Sequence, residues 1–196
     1  MLKQNLPDSP WYSSYEPNNY GDFFYSLVRV YQPETVVELG TEAGFSAYHL
    51  ARGLRTNGKG HLYCYDLWEK YDAQKYGFYS ISKSTAEDNL REYKNTIGLN
   101  LTNAIGIDRA YQTVDILHVD LHNDGEILNR IVPAWIDKVR QLVVIEGGSA
   151  ERDRVEWMIK FNKAPIKKWL EDFSRRGDIE YLTLEPFPSV TIIRKK

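Results

Sequence analysis

Apolar positions along this chain follow two alternating spacings. Short runs in which nearly every residue is apolar or β-branched (Thr35–Leu39, His61–Tyr65, Val114–Val119, Gln141–Ile145) alternate with longer stretches whose apolar residues lie three and four apart. The first kind predicts strands covered on both faces, as in the middle of a parallel sheet, and the second predicts helices. In chain order the pattern predicts a helix carrying Phe23, Phe24, Leu27, Val28 and Tyr31 that stops at Pro33, then the strand Thr35–Leu39. A helix Phe45–Leu54 follows, closed by Asn57-Gly58-Lys59-Gly60, and then the strand His61–Tyr65, which runs into Asp66. Next come a helix from about Thr85 to Ile97 capped by Gly98, strands at Leu101–Ile107 and Val114–Val119, and a helix Glu126–Val139 interrupted by Pro133. After the strand Gln141–Ile145, a helical region spans Val155–Phe161 and Ile166–Phe173. Strands at Ile179–Leu184 and Val190–Ile193 close the chain as a hairpin around Glu185-Pro186-Phe187-Pro188.

Strict alternation of strand and helix predicts an α/β fold: a mostly parallel sheet with an antiparallel last strand and helices on both faces. No internal repeat or long linker divides the 196 residues, so one domain over residues 1–196 is expected. Two stretches escape the pattern, Trp11–Tyr20 and Tyr71–Tyr79. Both are rich in aromatics, and the first also in proline and turn formers, so residues 1–20 are read as an N-terminal lid segment.

Composition changes this picture little. The 42% hydrophobic and 27% charged residues are ordinary for a globular protein, and the net charge of -2 argues against nucleic-acid binding through phosphate neutralisation. A lone cysteine, Cys64, makes a reducing, cytoplasmic setting the default, and no apolar run approaches the ~20 residues of a membrane span. The expected partner is therefore a small-molecule substrate, with no nucleic acid or membrane and with a homodimer left open.

The candidate chemistry sits at strand ends. Glu38, Asp66, Asp108, Asp120 and Glu146 each close a predicted strand, and in a parallel sheet those ends share one edge. Each could be a helix N-cap, but together they predict an acidic rim. Between the first strand and its helix lies Gly40-Thr41-Glu42-Ala43-Gly44. A dinucleotide fingerprint would need a second glycine where Glu42 stands, and a carboxylate there repels a pyrophosphate. A nicotinamide-dependent oxidoreductase is the alternative this counts against, and a non-catalytic cofactor-binding module is another. A cofactor carrying cationic groups and a ribose diol suits the rim better.

The segment Glu38-Leu39-Gly40-Thr41-Glu42-Ala43-Gly44-Phe45-Ser46 resembles motif I of class I S-adenosylmethionine-dependent methyltransferases, E/D-x-G-x-x-x-G. Its Gly-Phe-Ser ending is similar to the catechol O-methyltransferase-like and natural-product O-methyltransferase groups. The resemblance implies a Rossmann-like seven-stranded sheet over the whole chain and O-methylation of a small organic acceptor in secondary metabolism. It also assigns roles. Gly40 and Gly44 would admit the methionyl part of the cofactor, Glu38 would anchor the loop and favour the ammonium, and Ser46 would meet the methionine carboxylate. Asp66 would take the ribose hydroxyls and Asp108 the adenine amino group. Val114–Asn123 resembles the strand-four motif, in which Asp120 opens the catalytic region. Metal-dependent members add an acidic pair after strand five, where this chain has Glu146 followed by Gly147. Asp120 and Glu146 are thus the candidate Mg²⁺ ligands, with one expected ligand missing. His122 is the candidate general base, since a neutral imidazole titrates in the useful range.

Overall fold

The computed structural model describes residues 10–76 and 81–196. Seven strands, β1 (Thr35–Leu39), β2 (His61–Asp66), β3 (Ile97–Leu101), β4 (Val114–Val119), β5 (Val139–Glu146), β6 (Ile179–Leu184) and β7 (Val190–Lys195), form one sheet in the order β3-β2-β1-β4-β5-β7-β6. β1 to β5 pair in parallel, while β7 is antiparallel to both its neighbours. The direction of winding reverses between β1 and β4, which opens a crevice at their carboxyl ends.

Alternate side chains of each central strand enter separate cores, as the pleat requires. Val36, Ile116 and Val144 face one side, packed under α1 (Tyr20–Tyr31), α2 (Phe45–Asn57) and α3 (Lys83–Leu90). Val37, Leu117 and Val143 face the other, under α4 (Gly125–Trp135) and α6 (Ile166–Ser174). A short helix, α5 (Glu156–Lys160), precedes α6. No helix among the described residues is long and apolar enough to cross a membrane.

Most elements fall where the hydrophobic pattern puts them; the exception is the region after α2. The helix expected to reach Ile97 ends at Leu90 and passes through a 3₁₀ turn, Arg91–Tyr93. β3 then begins at Ile97 and includes Gly98, so it ends at Leu101, where the expected strand begins. Only its first residue is fully buried. An edge strand with little to bury carries a weak apolar signature, and Gly98 imitates a helix stop.

Candidate active site

The turn from β1 to α2 is held in an unusual backbone shape. Gly40, Glu42 and Gly44 all have positive φ (+89°, +50° and +95°). At Gly40 the need for glycine is steric, because a Cβ would lie 1.9 Å from the main-chain oxygen of Asp120 at the end of β4. For the non-glycine Glu42 the conformation costs on the order of 1 kcal/mol. Three bonds offset this. Asp66 Oδ2 accepts from the amides of Thr41 and Glu42 at 2.7 and 2.8 Å, and Trp68 Nε1 donates to the Glu42 carbonyl at 2.8 Å. Asp66 Oδ1 takes the Trp68 amide. Asp66, expected to take the ribose hydroxyls, braces the turn with both of its oxygens.

Glu38 lies beneath this turn and is fully buried. Register places it between Cys64 on β2 and His118 on β4. One of its oxygens accepts from Ser46 Oγ at 2.7 Å and faces His118 Nδ1 at 3.0 Å; the other receives the Cys64 thiol at 3.4 Å. Burial, and then the Glu38 charge, push that thiol's pKa well up, so Cys64 is inert. Glu38 is thus tied to the start of α2 through Ser46 and lies within the core.

Above the turn is a cavity of about 330 Å³ at the crevice. It is lined by Gly40–Ala43, Asp66, Trp68 and the segment Asn103-Ala104-Ile105, and also by Trp11, Tyr15, Tyr71, Asp120 and His122. Both aromatic-rich stretches reach it, although residues 1–9 of the first segment and 77–79 of the second lie outside the described residues. Buried in this lining, the Tyr15 hydroxyl faces the Asp120 carboxylate and the Thr41 hydroxyl faces the Cys64 thiol. The electrostatics are acidic. Glu42 opens onto the cavity but is otherwise enclosed by protein; desolvation, and then the Asp66 charge, raise its pKa to about 7. Asp120 is raised well above the carboxylate range by burial and then by Glu146. His122 stacks on Tyr71 with centroids 5.1 Å apart and meets the edge of Trp157. Burial, then Arg152 and Lys163, lower its pKa to about 4, so it is neutral at physiological pH.

Two sequence expectations need correction. Asp108 lies off the cavity: it sits in a 3₁₀ turn, Ile107–Ala110, and is bound by Lys138, whose Nζ is 3.2 Å from Oδ2 and also donates to the Asp108 carbonyl. Because β3 ends early, the chain crosses the crevice at Asn103–Ile105 and has already turned back toward the start of β4 at Asp108. The apolar Ala104-Ile105 after a strand was the available signal. The acidic rim is therefore Asp66, Asp120 and Glu146 with Glu42 added, since Glu38 points inward. Asp120 and Glu146 also do not fit a divalent ion. Both Glu146 oxygens are taken by Arg152, through Nε and, at 2.9 Å, through Nη2. Among the described residues no group of three acidic, histidine or cysteine side chains is arranged to hold a metal. Arg152 carried no signal in the sequence.

The sheet order, the crevice and the glycine turn define a methyltransferase-type α/β fold. A family model described as a methyltransferase domain matches residues 37–148, and the chain belongs to that family. The O-methyltransferase TomG from Streptomyces achromogenes, solved with S-adenosylmethionine, superposes with a TM-score of 0.66 at 18% identity, covering 97% of this chain and 82% of that one. An O-methyltransferase from Bacillus cereus in complex with S-adenosylhomocysteine gives 0.66 at 15% identity, over 98% and 86%. A methyltransferase from Geobacter sulfurreducens gives 0.62 at 19%, over 100% and 95%. At these identities what is shared is the fold. No curated protein sequence matches the chain.

Proposed function

We infer that the protein transfers a methyl group from S-adenosylmethionine to an oxygen of a small organic acceptor. The observation that carries this is the continuity of the cavity. One cavity is lined both by the acidic, glycine-bearing turn with Asp66 and by the aromatics Trp11, Tyr15 and Tyr71, with Asp120 and His122 among them.

The residues present fit the cofactor. Thr41 offers a hydroxyl, Glu42 and Asp66 offer carboxylate oxygens, and Asn103–Ile105 offer a mixed wall for a flat base. Glu42 and Asp66 suit the ribose diol and a cationic centre, and the turn at Gly40–Gly44 leaves its backbone open to the amino-acid portion. When bound, the cofactor supplies an electrophilic methyl group. Everything else is positioning and proton handling by the protein. Trp11, Tyr15 and Tyr71 exclude water and grip a flat or apolar acceptor. Asp120, with its raised pKa, is the stronger base once ionised and is placed to take the acceptor's proton. His122, held neutral, is too weakly basic for that task and serves as a hydrogen-bond acceptor that orients the hydroxyl.

Calorimetry with S-adenosylhomocysteine and with NAD tests the cofactor. Micromolar binding of the first and none of the second is expected, and the reverse would overturn the reading. Mass spectrometry after incubation with a panel of phenolic, hydroxy-acid and sugar acceptors then identifies what gains a methyl group.

A further inference from the structure

A divalent cation held by Asp120 and Glu146 would need free carboxylate oxygens and further oxygen donors beside them. In this chain Glu146 has no oxygen left to give. Arg152 is 5% exposed and Glu146 6%, and their bidentate contact occupies both Glu146 oxygens. The guanidinium is fixed from several sides. It lies 5.2 Å from the Trp157 ring, Nη2 also approaches the Asn123 carbonyl at 3.4 Å, and the Arg152 amide is held by Ser149 Oγ at 3.1 Å. Nη1 has no hydrogen-bond partner, so Glu146 does not exhaust the guanidinium's donors.

Gly147 gives an independent reason. The next position after Glu146 is where a further acidic ligand would have to come from, yet Gly147 has φ +100°, and a Cβ there would meet Ile166 Cδ1 at 2.5 Å. Its carbonyl is bound by Thr191 Oγ1 at 2.7 Å. A ligand-bearing side chain cannot be placed there without strain in the backbone and displacement of a buried isoleucine.

We propose that Arg152 is the resident cation of this active site, standing where a divalent ion would bind and fixing Glu146 in its place, so that the methyltransferase works without a metal. Arg152 is a positioning residue in this scheme. The proposal rests on methyl transfer taking place in this cavity. The partition of charge differs from that of a metal site: a guanidinium is planar, permanently protonated and cannot be removed by a chelator.

The test uses Mn²⁺ as the probe, read by electron paramagnetic resonance on the EDTA-treated full-length protein. Wild-type protein is expected to leave the free Mn²⁺ signal undiminished, and its affinity for S-adenosylhomocysteine should be the same in EDTA and in Mg²⁺. Stoichiometric Mn²⁺ binding that Asp120→Asn abolishes would overturn the proposal, as would a cofactor affinity that depends on Mg²⁺. Folded Arg152→Ser should gain Mn²⁺ binding, with a Kd on the order of 10⁻³ M for so few oxygen ligands. A folded variant that binds none shows that Arg152 does not occupy a cation's place. If S-adenosylhomocysteine fails to bind under every condition, the cofactor reading fails, while the Mn²⁺ result still judges Arg152 on its own.

Discussion

The α-carbon of Gly40 lies so close to the main-chain carbonyl of Asp120 that a single methyl group between them would sit 1.9 Å from the oxygen. The β1–α2 turn and the end of β4 are thus one contact, and displacing either displaces the other. Gly40→Ala should destabilise the protein by at least ~2 kcal/mol, combining the positive φ with the clash. Denaturant unfolding gives the stability, and calorimetry should show loss of S-adenosylhomocysteine binding even in the fraction that folds. A variant of wild-type stability and affinity would mean the turn relaxes freely.

Asp66 braces the β1–α2 turn and, in the proposed function, also meets the cofactor, so its variants should separate the two roles. Asp66→Asn keeps one acceptor for the Thr41 and Glu42 amides but loses the charge, and should weaken S-adenosylhomocysteine binding by ~1–3 kcal/mol with a small change in Tm. Asp66→Ala also releases both amides and should lower Tm as well. Unchanged affinity in both would remove Asp66 from the cofactor's neighbourhood.

Glu42 makes cofactor binding depend on pH near neutrality. With its pKa raised to about 7, it is protonated below and ionised above that point. Affinity for the cationic cofactor should therefore rise from pH 6 to pH 8. Stability runs the other way: between the ordinary 4.5 and about 7 the folded state holds a proton that the unfolded chain has released, so raising the pH across this window removes stability. Glu42→Gln should flatten the step in affinity and remove its share of the stability slope. Isothermal titrations and melts at four pH values decide it.

Asp120 and His122 should differ in which kinetic constant they control. Asp120→Asn should lower kcat by about 10²–10⁴-fold, the usual worth of a general base. His122→Phe preserves the stack on Tyr71 and should act mainly on KM. A kcat loss in His122→Phe equal to that of Asp120→Asn would return the role of base to the histidine.

The sequence makes the central fold legible because β1, β2, β4 and β5 are apolar on both faces and the β1 turn carries two glycines and a misplaced carboxylate. Glu38, Asp66 and Asp120 follow from strand ends alone. What stays hidden depends on partners distant in sequence. Asp108 looks like Asp66 until Lys138, thirty positions on, claims it. Glu146 looks like a metal ligand until Arg152 folds back over it from an irregular segment with no periodicity. β3 is misread because an edge strand has one poorly covered face, so hydrophobic spacing says little about where it starts.

The row Cys64–Glu38–His118 has a consequence for how the protein breathes. These residues lie on three adjacent central strands and are tied to α2 through Ser46, so their amides can exchange with solvent only when the sheet itself comes apart. Among the described residues Asn103–Ile105 is held only by local bonds and carries no such cross-link to a neighbouring strand, so it can open alone. Hydrogen exchange should therefore divide the cavity in two, with its floor exchanging at the rate of global unfolding and its Asn103–Ile105 wall far sooner.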